Sequence, residues 1–98
     1  MKMNNLKQIS NIISKNKEEL RRKYKISRIG IFGSFSRNEA TKESDVDILV
    51  EFSEPIGLDF VLLAEELELL LGNKVDLVSS KAVKPRLKKY IEEDLIYV

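Results

Sequence analysis

Residues 45–52, DVDILVEF, alternate along their whole length. Val46, Ile48 and Val50 fall on one side, and Asp45, Asp47, Leu49 and Glu51 on the other. That is the period of a strand with one face in a core. Two carboxylates two positions apart at its start must then project together from the opposite face. A fold that accommodates this run has a sheet with one face packed and the other carrying charge.

The remaining segments arrange themselves around that strand. Leu6, Ile9, Ile13, Leu20 and Tyr24 recur at helical spacing, so residues from about 5 to 24 read as an amphipathic helix. RIGIF, residues 28–32, is short, β-branched and closed by Gly33, which reads as a strand. A short helix is expected next, starting at Ser34 as N-cap or, if Ser36 and Glu39 form a capping box, two residues later. Residues 53–57, with Pro55, form a loop. Residues 58–71 read as a helix ended by Gly72, and KVDLV, residues 74–78, as a third strand with Val75 and Leu77 on one face and Asp76 on the other. A last helix covers about residues 84–94, with Pro85 in its first turn, before LIYV. The expected order is α-β-α-β-α-β-α, an α/β (α+β) domain of three strands and about four helices with no internal repeat.

At 98 residues this is expected to be a single domain spanning 1–98, folded almost to both ends, since four glycines and two prolines leave no low-complexity segment. A formal charge of +1 argues against the basic surface that direct nucleic-acid binding needs. With no cysteine and no histidine, disulfide, thiol and imidazole chemistry are excluded, leaving carboxylates, Lys, Arg, Tyr and hydroxyls. The N-terminal 25 residues lack the apolar run of a signal peptide, and the apolar stretch at residues 60–71 is interrupted by three glutamates and too short to span a bilayer. No membrane association is expected, and the cytoplasm is the default location.

The chemistry concentrates in residues 33–47 and at residue 76. Asp45 and Asp47 project from one face with their carboxylates in reach of a common divalent ion, and such a cation keeps two close carboxylates ionised. Asp76 completes a three-carboxylate set for one or two Mg²⁺ ions if the third strand lies beside the second in suitable register. Such a cluster suits phosphoryl or nucleotidyl transfer. The other requirement, a phosphate cradle, is met by Gly33, which permits close backbone approach, by the Ser34 hydroxyl and following N–H groups, and by Arg37 one turn on. Alone, a Gly-Ser after a strand is ordinarily a turn and a D-x-D ordinarily surface charge. Their combination with a third strand-borne aspartate favours a site. Ser44 reads as structural, part of the turn before the strand.

GSFSRNEATKESDVD, residues 33–47, resembles the Gly-Ser, ten residues, Asp-x-Asp signature of minimal nucleotidyltransferases in the DNA polymerase β superfamily. The ILVEF that follows, GNKVDLV and the terminal IEEDLIYV also resemble that family, so the likeness covers nearly the whole chain. The resemblance implies a nucleotidyltransferase fold with a mixed sheet, Mg²⁺ held by Asp45, Asp47 and Asp76, and ATP phosphates positioned by Gly33 and Ser34. It further implies an antitoxin of the HEPN/MNT type, whose partner is a HEPN-domain ribonuclease toxin silenced by transfer of AMP from ATP to a toxin tyrosine. Asn38 departs from the pattern, since many relatives carry Gly there, and a slight change in the helix after the cradle is expected. Two other functions remain open: nucleotidyl transfer to a small molecule such as an aminoglycoside, and a non-catalytic antitoxin that neutralises its partner by binding alone.

Two further features have plain explanations beside functional ones. The helix at 58–71 is apolar over more than one stripe, which fits either burial or a protein interface. The five basic residues of KAVKPRLKKY, residues 81–90, are ordinarily a solvated face, and otherwise a contact for an acidic partner or for nucleotide phosphates.

Overall fold

The computed structural model describes residues 5–98; the first four residues of the N-terminal stretch lie outside the described residues. Helix α1 (Leu6–Tyr24) starts where the Asn5 side chain accepts the Gln8 N–H at 2.9 Å and ends where Lys25 takes a left-handed φ of 56°. It turns Ile9, Ile13, Leu20 and Tyr24 into the core. Strand β1 (Ile26–Phe32) begins two residues before the expected start and is joined antiparallel to β2 (Val46–Phe52). Helix α2 (Asp59–Leu71) follows and ends at Gly72, whose φ of 64° supplies the left-handed cap expected there. Strand β3 (Val75–Ser79) then runs parallel to β2. A single 3-10 turn (Ser80–Ala82) leads to α3 (Pro85–Asp94) and to β4 (Ile96–Tyr97).

The sheet order is β3-β2-β1-β4, with β2–β3 parallel and the other pairs antiparallel, so the sheet is mixed. Helices α1 and α2 cover one face. Ile29, Ile31, Val46, Ile48 and Val50 meet Ile9, Ile13, Leu63, Leu67 and Leu71 there, and each fully buried aliphatic side chain contributes roughly 1.5–3 kcal/mol. Glu66 ties the two helices, accepting hydrogen bonds from Lys23 Nζ and Tyr24 Oη, both at 2.8 Å. The other face carries Asp47, Leu49 and Glu51.

Two expectations are corrected. The sheet has four strands rather than three, because the terminal residues pair with β1: Gly30 lies opposite Tyr97, Ile31 opposite Ile96, and the Val98 N–H donates to the Ile29 carbonyl at 2.9 Å. Gly30 makes room for this edge, since a Cβ there would stand 2.7 Å from Leu95 Cδ1 and 3.2 Å from the Ile96 carbonyl oxygen. Secondly, no helix follows Gly33. Residues 33–38 form consecutive turns bracketed by the left-handed Gly33 (φ 76°) and Asn38 (φ 61°), with Phe35 buried beneath them. Ser36 does not cap Glu39 but donates to the Asp94 carbonyl. Asn tolerates the left-handed conformation nearly as Gly does, which accounts for both residues at position 38. Among the described residues there are therefore three α-helices and one 3-10 turn.

Helix α2 and its N-cap divide their leucines between core and surface. Leu63, Leu67 and Leu71 are fully buried, whereas Leu58 and Leu69 are 87% and 85% exposed. Among the described residues no helix is long and apolar enough to cross a membrane.

Candidate functional site

The register of the sheet builds the site. Asp47 lies directly opposite Phe32, the residue before Gly33, on one side and directly opposite Asp76 on the other. Residues paired across a sheet share a face, so the two carboxylates project together from the open side. The condition on which Asp76 was expected to join the set is met by the parallel β2–β3 pairing. Two contacts hold that register: Val46 N–H donates to the Lys74 carbonyl at 2.9 Å, and the Glu68 carboxylate of α2 accepts the Val75 N–H at 3.0 Å.

Gly33 is required twice over. Its φ of 76° is in the left-handed region, and a Cβ built on it would collide with the Asp47 carboxylate, lying 3.0 Å from Asp47 Cγ. The turn therefore presses its backbone against the carboxylate, and only the absence of a side chain permits it. Ser34 is half-buried, its carbonyl accepting the Glu39 N–H at 2.8 Å. Arg37 stands at the rim, where Nη1 donates to Asp94 Oδ2 at 2.6 Å and Nε to Glu39 Oε2 at 3.3 Å. Ser44 serves the turn before β2, its hydroxyl accepting the Thr41 N–H at 2.9 Å, as expected of a structural residue.

Electrostatically, Asp47 is the focus. Its pKa is pushed up to about 6, first by burial, then by the Asp76 charge, a hydrogen bond with Asp76 and the charge of Asp45, while Arg37 opposes the shift. Without a counter-ion Asp47 keeps its proton to a higher pH than an ordinary carboxyl. Carboxylate oxygens brought this close suit a hard divalent cation, which would take the proton's place. Asp45 is exposed just before β2 and acts on Asp47 through its charge. Among the described residues no three carboxylates are already gathered into a cation cluster.

Sequence reasoning missed Asp94 and Glu68, which aim Arg37 and fix β3. Each is separated along the chain from what it holds, Asp94 by 57 positions from Arg37, so no local pattern marks them. A groove of about 420 Å³ opens beside Asp76, walled by Val78, Val83 and Leu87 and rimmed by Lys84 and Arg86. A separate cavity of about 280 Å³, bordered by Phe52, Phe60 and Lys81, lies at the opposite ends of β2 and β3 and is remote from the carboxylates.

This geometry can be set beside known proteins. The profile of the Nucleotidyltransferase domain family matches residues 13–98. The chain belongs to that family. A Methanocaldococcus jannaschii chain provisionally named a protein adenylyltransferase is 54% identical, with 98% of this chain and all of that one covered. The protein adenylyltransferase MntA of Thermococcus cleftensis is 44% identical over the full length of both. Among solved structures, a chain of a toxin-antitoxin crystallised with AMP-PNP superposes with a TM-score of 0.71 at 26% identity, covering 85% of this chain and 69% of that one. The nucleotidyltransferase domain thus accounts for the mixed sheet, and its open face carries the aspartates.

Proposed function

We propose that this nucleotidyltransferase is a Mg²⁺-dependent protein adenylyltransferase that transfers AMP from ATP to a tyrosine hydroxyl of a HEPN-domain ribonuclease toxin, and so acts as its antitoxin. The observation that carries the reading is the placement of Asp47 between Gly33 and Asp76, which sets a phosphate-approachable backbone beside a pair of carboxylates. The names of the relatives, and the nucleotide analogue in the toxin-antitoxin structure, support the same activity.

Asp45, Asp47 and Asp76 would hold the metal, and their oxygen-only set fits it. When bound, Mg²⁺ neutralises phosphate charge and stabilises the departing pyrophosphate. Gly33 lets the β- and γ-phosphates approach the turn, the Ser34 hydroxyl donates to them, and Arg37 offers its charge from the rim. Asp76 takes the proton of the acceptor hydroxyl. The acceptor oxygen then bonds the α-phosphorus, and the bond from that phosphorus to the α,β-bridging oxygen breaks, releasing pyrophosphate.

α-Labelled ATP incubated with Mg²⁺, the chain and the product of the neighbouring gene should yield a labelled partner. Asp45→Asn with Asp47→Asn should abolish both labelling and neutralisation. An unlabelled partner in the wild-type reaction would overturn the reading. The exposed Leu58 and Leu69 favour a second reading, neutralisation by occlusion, which predicts that the double variant still neutralises.

A further inference from the structure

The basic run at residues 81–90 is divided by the fold. Lys81 borders the remote cavity, and Lys89 lies on the exposed surface of α3 that also includes Glu93 and one side of Arg86. Lys84 and Arg86 stand at the rim of the groove beside Asp76, and neither has an ion-pair partner among the described residues. The groove has apolar walls, Val78 on β3 and Phe32 at the end of β1 with Val83, Leu87 and Ile91, and Asp76 is part of its lining. Two uncompensated cations over an apolar channel that leads to a reactive carboxylate are more than a solvated face.

The direction of the reaction says what enters. Nucleophile and leaving group lie opposite each other across the phosphorus under attack. The cradle is on β1 and Asp76 on β3, with β2 between them, so the two sides of the site are roughly 10 Å apart. The pyrophosphate departs on the β1 side. The acceptor must therefore come from the Asp76 side, where the groove has most of its lining before it reaches Phe32 at the end of β1.

We propose that this groove receives the acceptor segment of the protein substrate, and that Lys84 and Arg86 select a segment with acidic residues flanking its acceptor hydroxyl. The inference rests on the adenylyltransferase reading for its direction. An acidic group cannot sit at Asp76 itself, where like charges repel, so the acidic flanks lie at the rim while the ring carrying the hydroxyl packs between Val83 and Leu87. Two rim charge pairs together are worth about a ten-fold difference in affinity.

The peptide titration needs neither metal nor nucleotide, which separates it from the activity, and ATP alone serves as a control. The ¹⁵N-labelled full chain is titrated with a short peptide bearing a central tyrosine between Asp and Glu, and with its counterpart flanked by lysines. With the acidic peptide, amide shifts should concentrate at Val78, Val83, Lys84 and Leu87, and it should bind about ten-fold more tightly than the basic one. Lys84→Glu with Arg86→Glu should invert the order, and Lys84→Gln with Arg86→Gln should level it. Equal binding of the two peptides, an order unchanged by these variants, or shifts confined to other surfaces would overturn the proposal. So would ATP moving the Lys84 and Arg86 amides when the acidic peptide does not, since the rim would then serve the nucleotide. Labelling of the partner by the wild-type chain reports separately on the adenylyltransferase reading. That reading stands if labelling persists while the peptide preference fails.

Discussion

A methyl group at position 33 would have to displace the Asp47 carboxylate, in a backbone conformation that costs an L-residue about 1–2 kcal/mol. Gly33→Ala should therefore lower stability by about 2 kcal/mol in urea unfolding and abolish transfer. Gly33→Asn separates the two effects: it accepts the left-handed φ and should recover part of the stability, but none of the activity, because its Cβ still occupies the same space. Asp47 carries the complementary strain. Its folded pKa of about 6 stands above the unfolded value of 3.8, so the folded state binds the extra proton between those values and stability is lost as pH rises through that window. In the metal-free chain, Asp47→Asn should match the wild type near pH 4. Above pH 6 it should exceed it by about 1–2 kcal/mol, allowing for solvent screening of a half-exposed group. Chemical denaturation in EDTA across that range measures the gap; a gap independent of pH would refute the assignment. Asp94 acts through Arg37. Asp94→Ala should raise KM for ATP about three- to ten-fold with kcat nearly unchanged, Asp94→Glu should restore much of it, and a fall in kcat alone would count against positioning.

At the scale of elements, the strand carrying Asp47 was legible because its alternation lies within eight consecutive residues, although β2 starts at Val46 and leaves Asp45 just ahead of it. The cap at Gly72 was legible for the same reason, being local. The turn at 33–38 was not, because Ser36 and Glu39 have the spacing of a capping box while the Ser36 hydroxyl is drawn to a carbonyl 58 residues away. Nor was β4, whose two residues give no period and pair only because β1 has a glycine opposite. That dependence is testable. Gly30→Ala introduces a Cβ 3.2 Å from the Ile96 carbonyl oxygen and 2.7 Å from the end of Leu95, and should cost about 1–3 kcal/mol. The loss should be concentrated at the edge: hydrogen exchange of the Val98 amide should quicken far more than that of amides in β2. Uniform acceleration would mean that β4 unfolds only with the whole sheet.

For the molecule as a whole, the packed face and the charged face make opposite demands. Helices α1 and α2 hold the sheet from one side, which frees the other to keep Asp47 and Asp76 closer than two ionised carboxylates would stay by themselves. A ligand that binds only the folded chain stabilises it by mass action, about 1.4 kcal/mol at ten times its dissociation constant, or roughly 6–10 °C in Tm for a domain of this size. Mg²⁺ with ATP should therefore raise the wild-type Tm. Asp47→Asn should reverse the ranking: at pH 7.5 in EDTA it should melt above the wild type, because the repulsion is gone, yet show no rise with Mg²⁺ and ATP. Gly33→Ala should fail on both counts, melting lower and gaining nothing. If Asp47→Asn melted below the wild type in EDTA, the carboxylate would be part of what holds the fold together rather than a strain carried for the site. If it still gained from Mg²⁺ and ATP, the nucleotide would be bound elsewhere than between Gly33 and Asp76.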